Sequence, residues 1–255
     1  MIHGFHRVDF GGEHADGGIE LVFLHGWGQT HAAFLKLARF FAARASCRLY
    51  DLPGFGQTPM LPAGAGTADY ADALAAELDS LPMPKKRIVI GHSFGCRVAL
   101  RLADHHPSLA DGLVLIAAAG LKRKRSLPFR LRAQALKLLG RAARLAGPAA
   151  YSRYADRFGS ADYRNAGALR PTFVAVVNED LSEVAQRVSA PALLIYGERD
   201  GETPSEFGER FASLMPHAEL KILPDFGHLD ILTRGAHQCQ NLVAQYLDKI
   251  IAGDS

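Results

Sequence analysis

Short apolar runs alternate with longer segments of helical periodicity along most of the chain. The runs are rich in Val, Ile and Leu, which is typical of strands that are buried on both faces. Parallel strands need crossover connections, and helices usually supply them, so the alternation predicts a mostly parallel sheet covered by helices on both faces. The predicted strands lie in 19–26, 47–54, 86–93, 111–118, 191–198 and 218–225, and the predicted helices in 67–81, 94–106, 204–215 and 237–251.

The alternation is interrupted once, between residues 119 and 189, where the pattern favours helices and no convincing strand. Residues 126–147 predict an amphipathic helix that Gly147 and Pro148 end, and 171–188 predicts a further helix before the sheet resumes. In the first of these helices, basic residues share one stripe and leucines occupy others. The basic set is Arg130, Lys137, Arg141 and Arg144, and the leucines are Leu131, Leu138, Leu139 and Leu145.

The charge of the chain is concentrated in this interruption. Residues 121–170 contain 13 Lys or Arg and two acidic residues, a net charge of +11, whereas the whole chain of 255 residues carries +3. The remainder is therefore acidic. One basic insertion in an acidic chain argues against a nucleic-acid-binding protein and fits a single globular domain that carries an inserted element.

Composition limits the compartment and the cofactors that we expect. No stretch approaches the roughly 18 consecutive apolar residues that span a bilayer, and the N-terminus lacks the apolar core of a secretion signal. The three cysteines, Cys47, Cys96 and Cys239, are widely separated and show no metal-ligand spacing. The sequence therefore predicts a cytoplasmic protein without a disulfide framework or a metal, and with neither nucleic acid nor membrane as a partner.

A serine between two glycines stands where a predicted strand meets a predicted helix, in "GHSFG" at residues 91–95. A sharp strand-to-helix turn forces Ser93 into a sparsely populated backbone conformation, and a side chain at Gly91 or Gly95 would collide with the packed strand and helix. The hydroxyl would then stand above the sheet at a helix N-terminus. This context is what the nucleophile elbow of a serine hydrolase requires.

A serine nucleophile needs a base, and the base needs an acid that holds its tautomer. Asp200 follows one predicted strand and His228 follows the next, so the order is serine, acid, histidine. Glu198 and Asp225 remain rivals for the acid, and we favour Asp200 because it lies farther past its strand.

The glycines of "HGWG" at residues 25–28 allow a sharp turn after the first long strand. Such a turn can direct the amide of Trp27 inward. The amide of Phe94, which follows the nucleophile, would supply the second donor of an oxyanion hole. The alternative is an ordinary glycine-rich turn.

Five motifs together resemble the α/β-hydrolase fold family: "HGWG", "DLPGFGQT" (51–58), "GHSFG", "GERD" (197–200) and "FGHLD" (226–230). The resemblance implies an α/β fold with a mostly parallel central sheet, helices on both faces, and a helical cap inserted after the sixth strand. Residues 1–120 and 189–255 would form the core and residues 121–188 the cap. Only one strand precedes residue 19, so we expect the antiparallel edge of the usual eight-stranded sheet to be shortened.

The resemblance implies a serine hydrolase with the triad Ser93, Asp200 and His228 and no cofactor. A serine nucleophile argues against the dehalogenases and epoxide hydrolases of the family, which use Asp. The expected reaction is cleavage of a small or medium carboxylic ester through an acyl-enzyme. Two alternatives stay open: a carbon–carbon bond hydrolase of the meta-cleavage type, and an esterase acting on esters linked to acyl carrier protein. The "HGWG" form is similar to pimeloyl-ACP methyl ester esterases.

The basic cap has two interpretations. It could bind an acidic carrier protein, or its charges could form a solvated helix face. Two functions from other classes also remain: a binder that keeps the fold without activity, against which the intact triad argues, and a membrane-surface protein that uses the amphipathic cap.

Overall fold

A computed structural model describes residues 4–11, 18–123, 127–158 and 161–253. Its strands form one seven-stranded sheet and are β1 (Arg7–Phe10), β2 (Ile19–Leu24), β3 (Ser46–Tyr50), β4 (Lys86–His92), β5 (Gly112–Ile116), β6 (Ala192–Gly197) and β7 (Ala218–Leu223). Their order across the sheet is β1-β3-β2-β4-β5-β6-β7. β1 runs antiparallel to β3, and the other neighbouring pairs are parallel. The prediction of a mostly parallel sheet is confirmed, with a single short antiparallel strand at its edge.

Helices cover both faces of the sheet, which is why its central strands contain few polar residues. The helices are α1 (Leu35–Phe41), α2 (Thr67–Asp79), α3 (Phe94–His105), α4 (Leu127–Leu145), α5 (Pro148–Phe158), α6 (Ala161–Asn165), α7 (Arg170–Asn178), α8 (Ser182–Arg187), α9 (Ser205–Leu214) and α10 (Ala236–Ala252). One apolar layer joins the sheet to α2, α3, α8 and α9, and the other joins it to α1 and α10. β7 differs from the prediction of burial on both faces: it is half-buried because it forms the sheet edge.

Helices α4 to α8 lie between β5 and β6, the fifth and sixth strands of the described chain. The single helix predicted over 171–188 is wrong, because the backbone becomes extended at Glu179 (ψ 145°) and separates α7 from α8. The carboxylate of Glu179 instead accepts hydrogen bonds from the amide and hydroxyl of Thr67 at the start of α2. Leu138, Leu139 and Leu145 of α4 are exposed.

This helical segment contacts the core near the carboxyl ends of the strands. The Phe173 ring of α7 lies 5.0 Å from the Trp27 ring, measured between centroids. The amide of Leu181 donates a hydrogen bond to the carbonyl of Gly120 at 2.8 Å. Within the described parts of the chain, no helix combines the length and apolar character needed to cross a membrane.

Candidate active site

Ser93 occupies a strained turn between the last residue of β4 and the first residue of α3. Its backbone angles, φ 49° and ψ −105°, lie in a region that residues other than glycine rarely adopt. The flanking glycines make this turn possible. A Cβ on Gly91 would lie 2.7 Å from the Cys96 amide nitrogen, and a Cβ on Gly95 would lie 2.0 Å from the Leu24 carbonyl oxygen. Both glycines are therefore required by close backbone approach, as the sequence predicts.

The turn after β2 is fixed by a buried histidine. His25 Nδ1 donates to the Gly26 carbonyl at 2.7 Å, and His25 Nε2 accepts from the Leu52 amide at 2.9 Å. Burial lowers the pKa of His25 to about 4, so the ring is neutral at physiological pH, and one of its nitrogens donates while the other accepts. The imidazole thus ties the "HGWG" turn to the loop after β3.

Trp27 and Phe94 lie next to each other at this edge of the sheet. Their rings meet edge to face with centroids 5.4 Å apart. The Phe94 amide begins α3, where helix geometry provides no acceptor. The Trp27 amide has no hydrogen-bond acceptor among the described residues. The Phe94 amide directly follows Ser93 in the chain, and the Trp27 amide is a second backbone donor without an acceptor in this part of the described chain.

Asp200 and His228 form a buried pair. Asp200 Oδ2 accepts from His228 Nδ1 at 2.7 Å and from the Thr203 hydroxyl at 2.8 Å. Its Oδ1 accepts from the amides of Glu202 and Thr203, each at 2.8 Å. Burial raises the pKa of Asp200, but the hydrogen bonds from His228 and Thr203 outweigh it and hold the pKa below its ordinary value. The carboxylate is therefore charged at neutral pH and fixes the orientation of the imidazole.

The rival acids occupy other positions. Asp225 forms an ion pair with Arg199, and Glu198 is exposed. Neither contacts His228 within the part of the chain that the structure describes. Of the three candidate acids, Asp200 is therefore the one that contacts His228.

His92, immediately before the serine, joins the elbow to the histidine loop. Its Nε2 lies 2.9 Å from the His228 carbonyl oxygen, to which it donates, and the two rings lie 4.9 Å apart. Burial, followed by the proximity of His228, lowers the pKa of His92 to about 3, so the ring is neutral. Gln29 Oε1 accepts from the Gly26 amide at 2.8 Å and lies 3.1 Å from His92 Nδ1. Sequence reasoning missed His92 and Gln29; a polar residue ending an otherwise apolar strand was the available signal for His92.

The contact between His92 and His228 joins the loop of His228 to the residue that precedes Ser93. No hydrogen bond joins the side chains of Ser93 and His228 among the described residues. His228 Nε2 lies 3.6 Å from Glu202 Oε2. The His228 side chain is 8% exposed and that of Glu202 is 66% exposed. Hydrogen bonds to a catalytic base are often long in unliganded enzymes and shorten when substrate binds.

Two pockets flank the site. One, of about 660 Å³, is lined by Trp27, Gln29, Phe55 and Leu229 of the core and by Leu169 of the helical segment. The other, of about 420 Å³, is lined by residues that include Ala119, Glu202 and Thr203.

A second histidine–carboxylate cluster lies at the end of β3. Buried Asp51 accepts from His6 Nδ1 and His31 Nδ1, each at 2.8 Å, and from the Gln57 amide at 3.1 Å. Three such residues could also hold a metal ion, since their ligand atoms lie within 4.8 Å of one another. The hydrogen bonds connect the N-terminal segment to the loop after β3, so Asp51 fixes the position of this loop.

Comparisons with known proteins agree with this fold. A family model described as "Alpha/beta hydrolase family" matches residues 21–238. The chain is 31% identical to the pimeloyl-[acyl-carrier protein] methyl ester esterase of Chromobacterium violaceum, over 85% of this chain and 89% of that protein. A thermophilic esterase from Thermogutta terrifontis shares the fold with a TM-score of 0.72 and 19% identity, covering 96% of this chain and 93% of that chain. The enol-lactonase from Burkholderia xenovorans has a TM-score of 0.72 and 18% identity, covering 97% and 98%.

Proposed function

This chain belongs to the alpha/beta hydrolase family, and we propose that it is a serine esterase that cleaves a small or medium carboxylic ester through an acyl-enzyme. The 2.7 Å hydrogen bond from His228 Nδ1 to Asp200 Oδ2 carries the proposal. This bond places the ring proton on Nδ1 and leaves a lone pair on Nε2, the form that a general base needs. Ser93, held in a strained backbone conformation between β4 and α3, supplies the nucleophile in this proposal.

The first half of the reaction forms the acyl-enzyme. Ser93 Oγ attacks the carbonyl carbon while His228 Nε2 takes the hydroxyl proton, and the carbonyl electron pair moves onto its oxygen. The amides of Trp27 and Phe94 donate hydrogen bonds to this oxyanion. Asp200 stabilises the imidazolium. The intermediate collapses when the imidazolium gives its proton to the ester oxygen, the carbon–oxygen bond breaks, and the alcohol leaves.

The second half releases the acid. His228 Nε2 removes a proton from water as the water oxygen attacks the acyl carbon, and the same two amides stabilise the second tetrahedral intermediate. The imidazolium then returns its proton to Ser93 Oγ as the bond from carbon to Oγ breaks. The free acid departs and the enzyme is restored without a metal or an organic cofactor in any step.

Residues 121–188 act as a cap over this site in our proposal. The contact of Phe173 with Trp27 and the pocket formed between Leu169 and the core support this role. The pocket of about 660 Å³ has more apolar than polar lining residues, although Gln29, Asp162 and Asn165 also belong to its wall, so it suits a mainly apolar part of the substrate.

Replacing the nucleophile tests the proposal. With p-nitrophenyl acetate, Ser93→Ala should abolish both the burst of nitrophenol and labelling by a fluorophosphonate. Ser213→Ala serves as the matched control, because the Ser213 hydroxyl is exposed and donates only to the Arg210 carbonyl. Unchanged turnover in Ser93→Ala would contradict the mechanism.

An ester linked to acyl carrier protein is a second candidate substrate. The name of the Chromobacterium relative and the net charge of +11 over residues 121–170 support it, since a basic surface can attract an acidic carrier. For such a substrate, kcat/KM should fall steeply with added salt when the ester is carrier-linked and only slightly when it is free. Equal salt dependence for the two substrates would refute carrier binding.

A further inference from the structure

Arg97 is a buried cation without a direct partner in the part of the chain that the structure describes. It lies in α3, its exposed fraction is 9%, and its fully buried Nη1 has no hydrogen-bond acceptor among the described residues. Glu179 and Asp180 attract the guanidinium at longer range. Both carboxylates are engaged elsewhere, however, Glu179 by Thr67 and Asp180 by the amide and hydroxyl of Ser182. A buried charge with an unsatisfied donor is costly unless a ligand supplies the acceptor.

The guanidinium lines the pocket of about 420 Å³ on the Thr203 side of the site. Thr203 and Glu202 form part of its wall, and both also approach His228: Thr203 Oγ1 lies 3.2 Å from His228 Nδ1 and Glu202 Oε2 lies 3.6 Å from His228 Nε2. Ala119, another lining residue, donates its amide to the carbonyl of Ser93. The pocket is therefore adjacent to the reacting groups.

The helix places Arg97 within reach of a substrate bound at Ser93. Ser93 immediately precedes the first residue of α3, and Arg97 is the fourth residue of this helix, about one turn away. Side chains of a helix also lean toward its N-terminus, and the N-terminus of α3 is the nucleophile elbow. Arg97 follows Ser93 by four positions, so its guanidinium can contact the distal end of a short substrate chain.

The charges around the pocket select the ligand. Of the cations that line the pocket, Lys122 pairs with Asp180 at 3.7 Å and Arg123 donates to the carbonyls of Gly201 and Glu202. Arg97 is left with a single positive charge and no direct partner among the described residues. A monoanion neutralises this charge, whereas a phosphate dianion would leave an excess of negative charge. A carboxylate also matches the paired donors of a guanidinium.

We infer that this pocket binds a carboxylate carried by the substrate, so that the preferred substrates are half-esters of dicarboxylic acids, with Arg97 as the specificity-determining residue. The inference rests on the proposed esterase function. The apolar pocket beside Trp27 would receive the leaving alcohol, and the acyl chain would end at Arg97.

Matched ester pairs test the inference. The substrates are mono-p-nitrophenyl esters of dicarboxylic acids from adipate to sebacate, each compared with its neutral ω-methyl ester. The wild-type protein should prefer the charged ester at the best chain length. Arg97→Met should raise KM for the charged ester by about ten- to hundredfold, the range for a hydrogen bond to a charged group, and change KM for the neutral ester by less than about twofold. Arg97→Lys should recover part of the loss.

The controls separate binding from folding and from catalysis. Arg101→Met removes a cation one turn farther along α3, whose Nε lies 3.4 Å from Thr67 Oγ1, and should leave the preference unchanged. Equal kcat/KM for charged and neutral esters in the wild-type protein would refute the inference while the esterase proposal stands. If neither ester is hydrolysed, the esterase proposal fails, and calorimetric titration with adipate then tests the carboxylate site by itself. Tighter binding of adipate to the wild-type protein than to Arg97→Lys supports the site. Equal or absent binding refutes it.

Discussion

Asp200→Asn provides a sharp test of the proposed mechanism because the structure dictates how the new side chain must sit. Asp200 Oδ1 accepts from two backbone amides, of Glu202 and Thr203, at 2.8 Å each, so the oxygen of the asparagine has to occupy this position. Its amino group then faces His228 Nδ1, which lies 2.7 Å from Oδ2 in the wild-type protein. The amino group donates to Nδ1, and the ring proton moves to Nε2.

An imidazole with its proton on Nε2 cannot accept the proton of Ser93. We expect kcat to fall by about 10⁴, as the wrong tautomer causes in serine proteases, which corresponds to about 5.4 kcal/mol of lost transition-state stabilisation. Stopped-flow measurement of the nitrophenol burst at neutral pH follows the acylation step directly. The side chain is nearly isosteric, so far-UV circular dichroism should remain that of the wild-type protein.

Thr203→Val is the matched control for this substitution. It removes the hydroxyl that donates to Asp200 Oδ2 at 2.8 Å but leaves the tautomer of His228 unchanged. We expect a loss of about tenfold, the value of one hydrogen bond to a charged group. If Asp200→Asn costs no more than Thr203→Val, then tautomer control by Asp200 is not part of the reaction.

Two further substitutions test residues that hold the backbone around the site: Gly95 in the turn at Ser93 and Asp51 in the loop after β3. Gly95→Ala places a Cβ 2.0 Å from the Leu24 carbonyl oxygen, so we expect the free energy of unfolding in urea to fall by about 3 kcal/mol and the acylation burst to disappear. Gly18→Ala is the control: no atom lies within 4 Å of its new Cβ, so this variant should unfold like the wild-type protein. Burial raises the pKa of Asp51, but hydrogen bonds led by those from His31 outweigh it and hold the pKa below 3.8. The stabilisation of the folded protein by the Asp51 carboxylate is therefore present above pH 3.8 and is lost as the pH falls through the folded-state pKa. Asp51→Asn should therefore lower the urea midpoint at neutral pH, and a difference from wild type that persists undiminished in acid would contradict this assignment.

The sequence predicts the sheet and the neighbourhood of the site for a common physical reason. Apolar runs report burial, and the carboxyl ends of parallel strands meet at one edge of a sheet. Residues that follow different strands, such as Asp200 and His228, are therefore expected together, and the structure joins them by a hydrogen bond. The family resemblance drawn from five short motifs is confirmed by a family match over residues 21–238.

The features that sequence reasoning missed depend on contacts between distant parts of the chain. The break between α7 and α8 reflects the hydrogen bonds of Glu179 with Thr67, which lies 112 positions earlier. The half-burial of β7 depends on strand order, which periodicity does not encode. The same limit applies to His92, because an imidazole in an apolar strand does not reveal which carbonyl it will meet.

The aromatic surroundings of Trp27 give the protein its own optical reporter. Trp27 is the single tryptophan of the chain. Its indole contacts Phe55 and Phe94 of the core, with ring centroids 5.0 and 5.4 Å away, and Phe173 of the helical segment at 5.0 Å. Any displacement of α7 from the core would change the polarity around this indole. Intrinsic fluorescence therefore reports the approach of α7 to the core and, under the proposed function, the arrival of a ligand in the pocket beside Trp27.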